Sequence, residues 1–369
     1  MAWRFRCPGL VLCLLLSAAP AAVRAAPVAR PADRPPAVLR VATWDVYCDP
    51  ARPGRPLGWQ EFERRTGAVL EATVFASNDE VLRVMRAGGF DFCVVSCDIV
   101  PVLIAEKLVR PLPVARLPHY RDLLPELKHV RYGAADGRDY CVPFAWGEMG
   151  LAYDTAVFPE PPRSWQVLWD PAWNGRVAHW DDSSALWTAA LANGRRDVFA
   201  LQGQQLWDAA RRAARLQAAG ALLWRDESTQ VEAMSAGRIV LNVTWPNAVA
   251  KVNRLAHRAS GRWAIAWPRE GVTGFIDNVC VASSCPRPEF GQVLADIMIA
   301  PDVQLAMSGT LDYAPASAVA VARLGAARRT ELHLDDPNRL NRFYLWQPVA
   351  DRAEYERLWA EARAGRLVQ

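Results

Sequence analysis

Histidine is scarce in this chain, five among 369 residues, and the five are scattered without a ligand-like neighbour. No two cysteines form a CxxC pair. Zinc binding needs clustered nitrogen and sulfur donors, so neither pattern supports a metal site. Catalytic signatures are missing as well. There is no GxSxG elbow, no HExxH, no P-loop and no GxGxxG, and no histidine stands as a base beside a nucleophile. Net charge is small. The formal value is +4, and three of those charges, Arg4, Arg6 and Arg24, fall in a leader-like segment, leaving +1. That is no electrostatic footprint for nucleic acid. After residue 25 no apolar run reaches transmembrane length. Internal repeats are absent.

What is present suits a globular protein: 51% of residues are hydrophobic and 22% charged. The length allows two domains, each with its own core. Tryptophan is abundant at 16 residues, and indole often lines ligand surfaces. Residues 1–25 predict a secretory signal: Arg4 and Arg6, then the short apolar run LVLCLLL, then a cut after Ala25. A Pro- and Ala-rich tether, residues 26–37, follows. The expectation is an exported, soluble protein. Cys48, Cys93, Cys97, Cys141, Cys280 and Cys285 remain after cleavage. An oxidising compartment permits disulfides, and the sequence does not choose among the pairings; a bridge between Cys48 and Cys97 is one option.

The mature chain opens on VLRVATWDVY, a strand over Val38–Ala42 that stops at Trp44, Asp45 and Tyr47. Ligands of open α/β sheets sit at the carboxyl ends of strands, and aromatic faces beside acids suit an organic cation. The periodicity then predicts a helix closed by Gly67, a strand over Ala68–Phe75, a helix opened by the capping box Ser77-Asn78-Asp79-Glu80, and a strand over Phe90–Val95 that ends at Ser96-Cys97-Asp98. This β-α-β-α-β order implies a parallel sheet. Residues 109–140 read as proline-rich loop. Tyr140–Trp146 leads towards Leu151–Tyr153, with a crossover into a second lobe near Cys141–Pro143. Val177–Trp180 ends at Asp181-Asp182, Ser228 caps a helix, and Ile239–Trp245 ends on Trp245. Asp277 is embedded in the strand-like run Gly271–Ala282, where an unpaired carboxylate is expensive to bury. Glu148 reads as a solvated charge near the hinge. An amphipathic helix over Asp351–Ala364 finishes the chain.

WDVY, SNDEVLRVM, FDFCVVS, YCVPFAWGEMGLAYD, PRSWQVLWDPAWNGRV, HWDD, NVTW, WPREGV, FIDNVCVA, PDVQLAMS and YLWQ follow one another in an order that resembles bacterial periplasmic spermidine/putrescine-binding proteins, which feed ABC importers. The resemblance implies a periplasmic-binding-protein-like α/β fold, with two lobes around a hinge and a cleft between them. Lobe one is then 38–141 with 278–318, and lobe two 142–277 with 319–369. It implies a monomer that binds a polyamine or related small cation, docks on permease subunits in the inner membrane, and uses no cofactor or metal. By position, Trp44 and Tyr47 resemble the family's first aromatic wall, Ser96 a ligand-bonding hydroxyl, and Asp182 the acid that meets a terminal ammonium. Trp245 and Phe275 resemble stacking rings, Asp277 the acid along the chain, and Tyr313 and Gln347 the remaining wall and a polar contact.

The sequence departs from that pattern in three places. Ala185 stands where spermidine binders carry a glutamate, Asp98 where they carry a tyrosine, and Asp45 where a hydroxyl is usual. Asp45 and Asp98 are therefore added candidate ligand contacts, and the pocket stays acidic with its charges relocated. The competing classes are a binder of another small organic solute and an exported hydrolase. A glycoside hydrolase would use two carboxylates, such as Asp181 or Asp182 with Asp277.

Overall fold

The computed structural model describes residues 36–49, 54–255, 262–336 and 338–367. The predicted leader and nearly all of the tether lie outside the described residues. Short strands alternate with helices from the start: β1 (Val38–Thr43), α1 (Trp59–Thr66), β2 (Val69–Val74), α2 (Asn78–Ala87), β3 (Phe92–Ser96) and α3 (Val100–Ala105). β1 pairs in parallel with both β2 and β3, as the alternation predicts. The capping box forms with a variation. Ser77 Oγ accepts from the Glu80 amide, but the Glu80 carboxylate reaches back one residue further, to the Ala76 amide. Residues 111–133 are loops and single 3-10 turns.

A second set of parallel strands follows. After β4 (Cys141–Asp154) come β5 (Val177–Trp180), α4 (Ala185–Ala192), α5 (Gly203–Ala218), β6 (Leu222–Trp224), α6 (Glu227–Ser235), β7 (Leu241–Thr244), α7 (Pro246–Leu255) and β8 (Trp263–Ala266). β5 lies parallel to β7 and β6. The chain then returns through β9 (Thr273–Ala282), α8 (Pro288–Ile299), α9 (Pro301–Leu311), α10 (Ala318–Arg323), α11 (Ala326–Glu331) and α12 (Arg352–Arg363). The strand order is β2-β1-β3-β9-β4-β7-β5-β6, with β8 also on β4.

The two parallel sets are thus two lobes joined through the antiparallel pair β4 and β9. β4 is one uninterrupted strand of 14 residues, where the sequence suggests two pieces. Its first part pairs with β9 and its last part with β7 and β8. At about 3.3 Å per residue it is long enough to serve both lobes. Pro143, which has no amide hydrogen, sits in this central strand opposite Asn278. The register slips between Asp277 and Asn278. A bulge is where a central strand tolerates proline and where a side chain can be re-aimed. The Asn278 side chain bonds the Ile276 and Val95 carbonyls at 2.8 and 3.3 Å, supplying donors beside the slip.

Several expectations are corrected. The helix expected to be capped by Ser228 is α6, which starts earlier. Asp226 caps it by accepting from the Thr229 amide at 2.8 Å. Glu148 is buried, not solvated, because it lies within the β4–β9 pair opposite Gly274. Burial raises its pKa to about 7. Cys48 and Cys97 are free thiols, as are Cys93, Cys141, Cys280 and Cys285. The buried Cys97 Sγ instead donates to the Trp346 carbonyl at 3.3 Å. Cys93, Cys280 and Cys141 are register neighbours on β3, β9 and β4.

Candidate functional site

Four strand ends converge between the lobes. β1 leads to Trp44, β3 to Asp98 and β7 to Trp245, and β5 ends at Trp180. This is where the loops of an open parallel sheet splay and leave room for a ligand. A cavity of about 50 Å³ opens there, room for roughly three to five water-sized groups at about 10–15 Å³ each. Trp44, Asp45 and Val46 line it from the first lobe, and Trp180 and Trp245 from the second. Phe275 and Asp277 enter from β9, and Tyr313 and Trp346 close it.

The rings brace one another. Trp180 meets Trp346 nearly face to face, with centroids 6.3 Å apart and planes at 15°. It meets Trp44 and Trp245 edge-on at 5.9 and 5.1 Å. Phe275 touches Trp245, Trp346 and Tyr313. Edge-to-face contacts of this kind hold rings more firmly than burial alone. The indole N–H groups of Trp44, Trp245 and Trp346 are buried without a conventional acceptor, and each of these rings meets a neighbour at a steep angle.

Asp277 lies beside the bulge, with Ser96 and Ala145 as its cross-strand partners. Tyr47 Oη donates to its Oδ2 at 2.6 Å. Burial pushes the Asp277 pKa up to about 7, against the Tyr47 hydrogen bond and with help from the Asp98 charge. Asp45 accepts from the Val46 amide at 2.8 Å and from the Glu227 amide of α6 at 3.2 Å. A carboxylate at a helix start is favourably placed, and this one ties a first-lobe turn to a second-lobe helix. Burial nevertheless raises its pKa.

Of the residues singled out in the sequence, the cavity gathers Trp44, Asp45, Trp245, Phe275, Asp277 and Tyr313. Tyr47 is buried behind them and acts on Asp277. Ser96, Asp98, Asp182 and Gln347 are not on the wall. Ser96 bonds Asn78 and Asp98 at 2.9 and 2.6 Å, and Gln347 is exposed. Asp98 is fully buried and holds Arg352 at 3.0 Å. Asp182 accepts from the Asn78 and Ser184 amides at 3.1 and 2.8 Å, so it pins α2 of one lobe to the β5 loop of the other. Burial first, and the nearby Asp79 second, raise the Asp182 pKa to about 7. Ala185 lines a separate cavity that shares Trp180.

Trp180 and Trp346 were not anticipated. Trp180 repeats the signal that marks Trp44 and Trp245, an indole closing a strand, and is followed directly by the two acids of HWDD. The hydrolase reading loses its carboxylate pair. Asp181 turns to Arg363 and the Trp359 indole, each at 3.1 Å, while Asp182 is held by backbone amides. No helix among the described residues is long and apolar enough to cross a membrane.

The family model described as bacterial extracellular solute-binding protein matches residues 59–331. A putrescine/agmatine-binding protein of Pseudomonas aeruginosa is 24% identical over 74% of this chain and 77% of its own length. The spermidine/putrescine-binding periplasmic protein of Escherichia coli K12 is 22% identical over 83% of this chain and 88% of its own. The solved Tp0655 (TpPotD) lipoprotein of Treponema pallidum superposes with a TM-score of 0.71 at 18% identity, covering 89% of this chain and 99% of that one.

Proposed function

The chain belongs to the bacterial extracellular solute-binding protein family, and from that premise we propose that it captures a putrescine-like cation between its lobes and hands it to the permease of an ABC importer. The observation that carries this reading is the cavity wall: six aromatic side chains, two carboxylates and no basic residue among those that line it. Asp45 and Asp277 attract ammonium groups, and closure strengthens that attraction by excluding water. Each well-placed ring adds about 0.5–2 kcal/mol by cation–π contact. The names of the relatives support the same ligand class.

The lobes divide at 38–141 with 278–318 and 142–277 with 319–369, so that β4 and β9 form the hinge. A ligand that touches Trp44 and Trp245 together binds only the closed arrangement and shifts the population towards it. The protein then works as a periplasmic monomer, and its closed face is what a permease recognises. A thermal-shift panel tests the ligand class. Putrescine at about 100 times its Kd adds about 2.7 kcal/mol of stability, whereas glucose and arginine leave the midpoint unchanged. A panel in which only sugars raise the midpoint would exclude a cation site.

A further inference from the structure

We propose that Arg352 is a built-in cation that occupies the outer acids of the cleft, latching the lobes and confining the ligand to the inner pair, Asp45 and Asp277. The proposal rests on reading the cavity as a cation site. Arg352 opens α12, which packs on α5 and α4 of the second lobe. Its guanidinium crosses to the first lobe, where Nη1 meets Asp79 Oδ1 at 2.9 Å and Nη2 meets Asp98 Oδ2 at 3.0 Å. The Arg352 and Asp79 side chains are each only 15% exposed, and Asp98 is wholly buried.

A planar guanidinium forked between two carboxylates is pre-organised, and a flexible ammonium does not easily displace it. The other oxygen of Asp98 is also taken, by Ser96 Oγ at 2.6 Å. Ser96 is the register neighbour of Asp277, so the latch stands next to the ligand cavity without opening into it. Asp182 is occupied by two backbone amides. Of the acids around the gap, Asp79 and Asp98 are paired with Arg352 and Asp182 is turned to two backbone amides, and none of the three is on the cavity wall. Asp45 and Asp277 are on the wall, hydrogen-bonded by the Val46 and Glu227 amides and the Tyr47 hydroxyl but, among the described residues, with no ion pair to a basic side chain. Two charges suit a diamine, and the third ammonium of a triamine has no free acid unless Arg352 leaves.

Removing a forked partner from a buried acid is normally destabilising, so two variants are needed. Arg352→Gln releases both acids, and Asp79→Asn releases one arm while leaving Asp98 paired. Circular dichroism checks that each is folded. Small-angle scattering of the ligand-free, signal-free protein and isothermal titration with putrescine and spermidine then give two readouts. The parent binds putrescine at least tenfold tighter than spermidine. In Arg352→Gln that ratio narrows tenfold or more and the ligand-free particle expands; Asp79→Asn gives a smaller change in the same direction. Folded variants with the parent's scattering and the parent's ratio would overturn the proposal. If neither amine binds any of the proteins, the cation reading of the cavity falls by itself. Scattering still decides the latch in that case: expansion of Arg352→Gln upholds it, and an unchanged envelope refutes it.

Discussion

Asp277 sits where its own charge is unwelcome, and in the proposed site a bound cation would relieve that penalty. Burial holds its pKa near 7, so an arriving ammonium must drive off a proton over much of the neutral range. Asp277→Asn keeps the shape and removes the charge. Truncating one member of a buried charge pair costs about 2–5 kcal/mol, so isothermal titration should show amine affinity falling roughly 30-fold or more. Tyr47→Phe removes the single hydroxyl bonded to Oδ2. A hydrogen bond to a charged group is worth about 1.5–3 kcal/mol. Affinity at pH 7 should fall about tenfold in this variant, and the pH at which binding saturates should move up. The sequence exposed Asp277 because a lone acid in an apolar strand needs a reason. It did not expose the fate of Asp98 and Asp182, because their partners, Arg352 and the Asn78 amide, lie 254 and 104 residues away.

The β4–β9 pair positions everything else. Its pairing leaves no space behind Gly274, where an added methyl carbon would lie 2.2 Å from the Phe343 ring. Gly274→Ala should therefore lower stability by roughly 1–3 kcal/mol, read as a fall in the chemical-denaturation midpoint. Because Gly274 is three residues from Asp277 on the same strand, amine affinity should weaken with it. The alternating elements of each lobe were legible from period and caps, since local chemistry sets them. The continuity of β4 was not. Pro143 reads as a break until Asn278 and the register slip on the neighbouring strand are seen beside it.

For the molecule as a whole, buried acids make stability and binding run in opposite directions with pH. Asp277 and Asp182 both have folded-state pKa values raised to about 7, above the unfolded value of about 3.9. Their neutral forms favour the fold fully below about pH 4, and that contribution is lost as pH rises through 7. The ligand-free thermal midpoint should therefore decline from pH 5 to pH 7.5, apart from other titrations. Putrescine affinity should rise over the same interval, by up to about tenfold per unit where Asp277 is mostly protonated. The two-lobe plan was foreseeable from the order of motifs along the chain. Which acids line the cavity without a cationic partner was not, because that depends on which charges the folded chain neutralises itself. The most direct measurement of cation capture is isothermal titration of putrescine into the signal-free protein near pH 6.5, repeated in two buffers of different ionisation enthalpy. Saturation at one ligand per chain with net proton release, both lost in Asp277→Asn, is the predicted result. Binding without proton release that survives in Asp277→Asn, or no binding of any di- or polyamine, would contradict it.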